Sequence, residues 1–325
     1  MPSSVPVIDI APWFNGGPAE RAAVAAEVDG ALQSVGFFLV TGHGVPRELR
    51  DRVRGVCRMF FALPEDVKRG YAVTVGGRGW LPSGVEANAY SEGTETPPDL
   101  KESFAVGADL PTGDPEVDGY WFPSNVWPSE VDEMQPVITQ YLHQMRALAD
   151  ELLVICAVAL DQAPDFFTRH TGHSTYTMNV NWYPPMTVVG EPQPGQFRIG
   201  PHTDFGTVTV LDREPGQGGL QVWSPDGSGD GDWEDAPWHA EAFTINTGDL
   251  LARWSGDRWR SNRHRVLPPQ PGAPEEELVS LVYFYEADHD TVVEALQPPV
   301  GRANTYEPVV SAAFLRERLD AITVG

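Results

Sequence analysis

Beyond Thr175 the chain is a series of short β-rich runs separated by turn residues, and this pattern constrains the fold more than any other feature of the sequence. The runs are TYTMNVNWY, FRIGPHTDFGTVTVL, GLQVW, AFTINTG, DLLARW, HRVLPP and LVSLVYFYE. Strands that recur at this spacing, with turns between them, are typical of a β-sandwich or barrel. We therefore expect a β core over residues 175–290.

The first half of the chain predicts helices that pack on this core. Residues 19–34 and 47–61 are predicted helices, with a short apolar strand between them in VGFFLVTGHG. The strongest helical pattern covers residues 129–161, where apolar residues recur every three or four positions: Met134, Ile138, Tyr141, Met145, Leu148, Leu152 and Ile155. We expect the segment 128–162 to be a backing helix for the β core.

Residues 71–127 have a different texture, because glycine, proline and isolated aromatic residues interrupt every period. This composition predicts a long irregular covering segment within an N-terminal region 1–127. With a C-terminal segment 291–325, these parts form a single domain over residues 1–325, of the α+β, mainly β class. The run SPDGSGDGDWED predicts the tip of a surface hairpin.

The chain of 325 residues carries a formal net charge of −24, and its 22 basic residues form no basic run. This charge repels phosphate backbones and anionic membrane surfaces, so neither nucleic acid nor a membrane is an expected partner. The N-terminus lacks the pattern of a secretory signal, and Cys57 and Cys156 lie inside apolar helical patterns as reduced core thiols. These features predict a soluble, cytoplasmic protein.

The segment GPHTDFG places His202 and Asp204 one residue apart. If residues 197–204 form a strand, both side chains project from one face, because strand side chains alternate. His264, in a later strand-like run, supplies a third ligand, and two imidazoles with one carboxylate leave open positions that suit Fe(II) and O₂. Alternatively, His202 is a turn histidine, Asp204 caps the turn at Gly206, and His264 is an ordinary half-buried side chain.

Eight segments are distinctive in their order: VPVIDI, GFFLVTGHGVP, PPDLKESF, NVNWYPP, IGPHTDFGTVTVL, GLQVW, INTGDLLARWSGDRWRSNRHRV and LVYFYE. Together they cover nearly the whole chain and resemble the Fe(II)- and 2-oxoglutarate-dependent oxygenases of the isopenicillin N synthase-like group. The resemblance implies a double-stranded β-helix (jelly roll) core in which His202, Asp204 and His264 hold iron. It also implies that Asn181 and Tyr183 face the cosubstrate.

The resemblance further implies an activity. In this family 2-oxoglutarate and O₂ are cosubstrates, and oxidative decarboxylation to succinate and CO₂ is coupled to hydroxylation, desaturation or cyclisation of a small metabolite. The protein supplies positioning and a dry pocket for this chemistry. No catalytic residue beyond the three metal ligands is implied.

One position departs from the family pattern. The family anchors the far carboxylate of 2-oxoglutarate with an Arg-x-Ser motif, and this chain has Leu278 in place of the arginine while it keeps Ser280. An arginine is the usual bidentate partner of a buried carboxylate. Arg198, which has the same strand parity as the predicted iron ligands, and Arg253 are candidate replacements. Alternatively, Arg198 is a solvated arginine at the end of a strand.

The missing arginine leaves a second function open, an Fe(II)-dependent oxidase of the isopenicillin N synthase kind that uses no 2-oxoglutarate. In that enzyme an apolar Leu278 would close the cosubstrate pocket or admit an apolar group of the substrate. A third hypothesis is a non-catalytic barrel that keeps the fold as a binding module. The intact set of His202, Asp204 and His264 argues against the third hypothesis.

The substrate pocket is predicted to be partly aromatic. Its candidate residues are Trp80, Tyr90, Phe104, Tyr120 and Trp121, with the surroundings of Phe205 and Tyr283. The alternative is that these side chains are plugs of the hydrophobic core. A small or medium-sized metabolite is the expected substrate, and the sequence leaves the oligomeric state open.

Overall fold

The computed structural model describes residues 4–217, 219–225, 231–302 and 306–323. The strands in these segments are β1 Val7–Asp9, β2 Phe37–Thr41, β3 Gly79–Leu81, β4 Glu102–Gly107, β5 Thr177–Tyr183, β6 Ile199–His202, β7 Val208–Arg213, β8 Leu220–Pro225, β9 Gly231–Asp235, β10 Phe243–Thr247, β11 His264–Val266, β12 Leu278–Tyr285, β13 Val292–Val293 and β14 Val309–Val310. The α-helices are α1 Ala11–Asn15, α2 Pro18–Ser34, α3 Arg47–Phe61, α4 Glu65–Lys68, α5 Pro115–Trp121, α6 Met134–Ala159, α7 Met186–Val189, α8 Asp249–Trp254 and α9 Ser311–Ile322.

Two sheets enclose the functional part of the fold. The larger sheet has the strand order β1-β2-β10-β7-β12-β5-β4-β3, and the smaller has the order β6-β11-β8-β9. Apart from the parallel pair of β1 and β2, neighbouring strands in both sheets are antiparallel. With the exception of β9, consecutive strands from β5 to β12 alternate between the sheets in the manner of a double-stranded β-helix. The predicted jelly-roll core and the α+β, mainly β class are confirmed.

Helices cover the outer face of the larger sheet. Helices α2 and α3 pack on α6, and α6 packs on β7 and β12. The seven apolar residues that predicted α6 are all at most 4% exposed, because they form the stripe that faces the sheet and the other helices. The helix begins at Met134, later than predicted, since the chain before it turns with a hydrogen bond from Val131 N–H to Pro128 O. Among the described residues no helix is long and apolar enough to cross a membrane.

Two predicted stretches have a different structure. Residues 71–127 are not irregular throughout, because they contain β3 and β4, and β4 pairs with β5 inside the larger sheet. Beyond Glu102 every residue of β4 is buried, so the sequence shows no alternation of polar and apolar residues.

The run DLLARW, which was predicted to be a strand, forms helix α8 instead. The two arms of the predicted hairpin pair as β8 and β9, and its tip, residues 226–230, lies outside the described residues.

A buried ion pair joins helix α3 to the larger sheet. The carboxylate of Asp212, on β7, accepts hydrogen bonds from Arg50 Nε at 2.8 Å and Arg50 Nη2 at 2.6 Å, and it also binds Arg54 Nη2. The side chains of Asp212, Arg50 and Arg54 are 0%, 4% and 7% exposed. Charges buried to this degree are stable only as a pair, so Asp212 holds α3 against the sheet.

The variant Asp212→Ala is expected to lose about 3–5 kcal/mol of unfolding free energy, because two guanidinium groups would remain buried without a counter-charge. Urea denaturation followed by circular dichroism measures the loss. Asp51→Ala is the matched control, since Asp51 also pairs with Arg54, at 3.6 Å, but is 61% exposed. We expect the control to lose less than about 1 kcal/mol. Equal losses in the two variants would contradict this account of α3.

Candidate active site

The three predicted metal ligands come together between the two sheets. His202, the last residue of β6, lies directly opposite His264, the first residue of β11, and their ring centroids are 4.2 Å apart. Asp204 Oδ1 lies 3.7 Å from the Nε2 atom of each histidine. One ligand atom from each residue falls within 4.8 Å of the other two, and all three residues are buried.

The position of Asp204 has a different cause from the predicted one. Strand β6 ends at His202, so Asp204 lies in the following loop and strand alternation does not orient it. Instead, the N-terminus of α8 holds this loop, because Asp249 N–H donates to Asp204 O at 2.8 Å and Leu250 N–H donates to Phe205 O at 3.0 Å. Gly248, the residue before α8, packs closely against Gly206. A Cβ at position 248 would lie 2.4 Å from Gly206 O. Only glycine permits this approach.

Hydrogen bonds orient each ligand so that one atom remains for a metal. His202 Nδ1 lies 2.8 Å from Gly200 O, and His264 Nδ1 lies 3.3 Å from Asn262 O. A carbonyl oxygen only accepts, so each Nδ1 carries the proton and each Nε2 presents its lone pair. This is the usual way in which proteins orient metal-binding histidines.

The carboxylate of Asp204 is held in a similar way by the larger sheet. Its Oδ2 accepts from Thr209 Oγ1 at 2.5 Å and from Asn246 Nδ2 at 2.6 Å, which leaves Oδ1 toward the imidazoles. Burial alone would raise the pKa of Asp204, but His264, His202 and these two hydrogen bonds lower it below its ordinary value. Burial and then the neighbouring His264 lower the pKa of His202 to about 4. The site is therefore an anionic carboxylate beside a neutral imidazole, a donor set ready for a divalent cation.

A pocket between the sheets contains these ligands. Three of the predicted aromatic residues line it: Tyr120, Trp121 and Phe205. Four others do not, namely Tyr90 and the core residues Trp80, Phe104 and Tyr283. The prediction of a partly aromatic lining thus holds for three positions, whereas Trp80, Phe104 and Tyr283 are the core plugs of the alternative interpretation. Apolar side chains from several elements complete the walls: Phe37, Leu81, Val282, Phe284, Leu315 and Leu319.

The two residues expected to face the cosubstrate, Asn181 and Tyr183, line this pocket, and Ser280 and Leu278 pair with them on β12. Tyr183 Oη and Ser280 Oγ are 3.1 Å apart and buried. Asn181 lines the pocket and accepts a hydrogen bond from Ser103 Oγ at 2.7 Å. Leu278 pairs in register with Tyr183 on the neighbouring strand, so it lies beside this residue. The hydroxyl groups of Tyr183 and Ser280 therefore lie together where the family arginine is missing.

The two candidate arginines occupy different places. Arg198 is fully buried, not solvated, and its guanidinium carbon lies 5.7 Å from the ring centroid of Tyr183. It donates to Glu276 Oε1 at 2.9 Å and to Glu276 O at 3.2 Å. Arg253 lies elsewhere, where it donates to Glu307 O and stacks on Tyr306. Of the two, the structure brings only Arg198 close to Tyr183.

Sequence reasoning missed four charged residues that line the pocket: Arg78, Glu86, Lys101 and Glu286. Lys101 on β4 is buried, forms an ion pair with Glu86 and donates to Ser103 Oγ at 3.0 Å. The sequence did distinguish Lys101, because it is one of only two lysines in the chain. Glu286, directly after β12, is 8% exposed, and burial followed by the Asp204 carboxylate raises its pKa to about 8. No sequence signal distinguishes Glu286 from the other acidic residues of this chain.

Comparisons with known proteins agree with this geometry. The family model described as non-haem dioxygenase in morphine synthesis N-terminal matches residues 5–130, and the 2OG-Fe(II) oxygenase superfamily model matches residues 170–287. Validamycin A dioxygenase of Streptomyces hygroscopicus subsp. limoneus is 42% identical, over 99% of this chain and 88% of its own. The 2-oxoglutarate-dependent dioxygenase tropC of Talaromyces stipitatus is 32% identical, over 94% of each chain.

Solved structures of 2-oxoglutarate-binding proteins and 2OG-Fe(II) oxygenases have a similar fold. A full-length protein of Neurospora crassa in complex with alpha-KG and thymine superposes with a TM-score of 0.83 at 27% identity, over 98% of this chain and 96% of that one. A 2OG-Fe(II) oxygenase family protein from Caulobacter crescentus superposes with a TM-score of 0.82 at 25% identity, over 98% of this chain and 99% of that one.

These findings decide between the functions that the sequence left open. Relatives named 2-oxoglutarate-dependent dioxygenases, and a structural neighbour crystallised with alpha-KG, support use of 2-oxoglutarate and not the oxidase that dispenses with it. The cofactor is Fe(II), the cosubstrates are 2-oxoglutarate and O₂, and the buried group of two histidines and one aspartate fits the iron. The chain belongs to the 2OG-Fe(II) oxygenase superfamily, and it is an Fe(II)-dependent dioxygenase that couples decarboxylation of 2-oxoglutarate to oxidation of a small molecule.

Proposed function

We propose that His202 Nε2, Asp204 Oδ1 and His264 Nε2 hold the iron. One observation carries this assignment: these atoms converge within 4.8 Å, while the remaining polar atoms of the same side chains are engaged in hydrogen bonds. Three ligands on one side leave positions for cosubstrate and O₂. When bound, the iron and 2-oxoglutarate supply the oxidising chemistry, and the protein residues hold and orient them.

We also assign Tyr183, Ser280 and Arg198 to the far carboxylate of 2-oxoglutarate. Two hydroxyl groups 3.1 Å apart can both donate to one carboxylate. Arg198, which directly precedes β6, lies beside the ring of Tyr183, and its partner Glu276 precedes Leu278 by two residues. A guanidinium carries five N–H donors, so it can serve Glu276 and an incoming carboxylate together. Arg198 thus takes the place of the arginine that Leu278 replaces.

Lys101 is a second cation near Tyr183, and we assign it a positioning role. Its ammonium group binds Glu86 and donates to Ser103, and Ser103 in turn donates to Asn181. This chain of contacts orients the amide of Asn181, which lines the pocket. Asn181 is therefore proposed to contact cosubstrate or substrate.

The substrate is proposed to be a small molecule, without nucleic acid or membrane partners, oxidised by a cytoplasmic, single-domain enzyme. The acidic charge of −24 and two buried, unpaired cysteines support this proposal. The Neurospora crassa protein is bound to thymine in its complex, and the relative with 42% identity is named for validamycin A. Validamycin A is the first candidate for an assay of substrate-dependent succinate formation.

His202→Ala or Asp204→Ala is expected to abolish Fe(II) binding and turnover while the protein stays folded, because each removes one of three ligands. Anaerobic Fe(II) titration and circular dichroism measure the two properties. His143→Ala, which changes an exposed histidine on α6, is the control and should bind iron like the wild type. Iron binding at full stoichiometry in His202→Ala would refute the assignment.

Arg198→Ala is expected to weaken 2-oxoglutarate binding by about 100-fold, the equivalent of one strong charge-assisted pair. Tyr183→Phe and Ser280→Ala should each weaken it by about tenfold, because each removes one hydroxyl donor. The measurement is anaerobic titration of the Fe(II)-loaded protein, followed by the visible charge-transfer band of the bound keto acid. Arg253→Ala is the matched control and should leave the dissociation constant unchanged.

A rescue variant sharpens this test. Leu278→Arg in the Arg198→Ala background restores a guanidinium at the family position, so it should recover most of the lost affinity. A larger loss of affinity in Lys101→Met than in Arg198→Ala would instead make Lys101 the anchor.

A further inference from the structure

Glu286 is a buried carboxylate with an unsatisfied oxygen in the wall of the pocket. Its side chain lines the same pocket as the proposed iron ligands, and the residue is 8% exposed. Oε2 is buried and has no hydrogen-bond partner within the described chain. A buried carboxylate oxygen normally has a hydrogen-bond or ionic partner, so this one points to a ligand that completes it.

The position of Glu286 is set by the fold. It follows Tyr285 at the end of β12, and it has the same strand parity as Val282 and Phe284, which also line the pocket. The carboxylate lies against Gly206, where a Cβ would be 1.8 Å from Oε2. Any larger side chain at position 206 would displace the carboxylate. Because Gly206 follows Asp204 by two residues, Glu286 lies at the iron end of the pocket.

Two neighbouring side chains on the same wall also lack partners. Asn179, on β5, pairs in register with Val282 of β12, and its Oδ1 is buried without a hydrogen bond. Thr175, two residues before β5 and also lining the pocket, has a buried Oγ1 without a hydrogen bond. Together with Glu286, they form a patch of acceptors in a pocket with several apolar walls.

The basic side chains that line the pocket bind other groups of the protein. Arg78, which also lines the pocket, donates to Gly76 O and Trp121 O, each at 3.4 Å, and Lys101 is paired with Glu86. Among the described residues no ion pair involves Glu286, and the group that gathers around the two histidines includes Asp204 but not Glu286. Among the described residues, therefore, no cation completes the carboxyl group of Glu286.

We propose that Glu286 is a specificity-determining residue that binds a protonated amine of the substrate at the iron end of the pocket. This inference rests on the proposed function, because it places the substrate beside the proposed iron ligands. An ammonium group supplies the N–H donors that the buried carboxyl group lacks, and its positive charge favours the ionised form of Glu286, whose pKa burial and Asp204 raise to about 8 in the free protein. Thr175 Oγ1 can accept another N–H group of the same ammonium, whereas Asn179 Oδ1, four residues further along β5, can accept from a hydroxyl group elsewhere on the same molecule.

The test compares two small probes of similar shape, cyclohexylamine and cyclohexanol. The protein is loaded with Zn(II) in place of iron and with 2-oxoglutarate, so that no turnover occurs, and isothermal titration calorimetry measures binding. The wild type is expected to bind the amine at least tenfold more tightly than the alcohol. In Glu286→Gln, which keeps the shape and removes the charge, the preference should fall below threefold with an unchanged affinity for cyclohexanol.

Glu294→Gln is the matched control, because Glu294 is exposed and outside the pocket. It should retain the full preference for the amine. Equal binding of amine and alcohol by the wild type, absence of binding of both, or an undiminished preference in Glu286→Gln would overturn the proposal. Binding of 2-oxoglutarate is measured in the same Zn(II)-loaded sample beforehand, so a failure of the proposed iron and cosubstrate site is detected separately.

Discussion

The carboxylate of Asp204 contacts side chains from both sheets, and the arrangement of the site depends on these contacts. The larger sheet holds one oxygen through Thr209 on β7 and Asn246 on β10. The smaller sheet brings His202 and His264 to within 3.7 Å of the other oxygen. A buried anion tolerates this position only with donors on one side and a cation on the other; the two sheets supply the donors, and the proposed iron would supply the cation.

Several buried charged side chains elsewhere in the molecule are held in ion pairs. Asp212 is paired with arginines of α3, Lys101 with Glu86, and Arg198 with Glu276. The pairs of Asp212 and of Arg198 join residues that are 162 and 78 positions apart in sequence, so they tie distant parts of the fold together. Glu286 lies in the pocket wall without an ion-pair partner among the described residues, and its Oε2 has no hydrogen bond there. This oxygen without a partner is the observation behind the proposed amine site.

Local patterns in the sequence predicted the elements whose periodicity matches their environment. The apolar residues of α6 face one side and recur at helical spacing, and α3 begins and ends where its sequence indicated. The sequence pattern gave a wrong prediction for two segments, whose surroundings in the fold differ from those that the pattern assumes. Strand β4 is covered on both faces and so lacks alternation, and DLLARW forms a helix because it begins at the close contact of Gly248 with Gly206. Both errors arise from contacts with residues far away in sequence.

The sequence by itself determined the types of the metal ligands, the family and the absence of the arginine at position 278, because these depend on residue identities and their order. Only the tertiary structure decided how Asp204 is oriented, that Arg198 and not Arg253 reaches Tyr183, and that Glu286 has an oxygen without a partner. The physical reason is that hydrogen bonds and ion pairs act over a few ångströms between strands brought together by the fold. Such proximity depends on the pairing of β6 with β11 and on the packing of the two sheets, and no local pattern of residues encodes it.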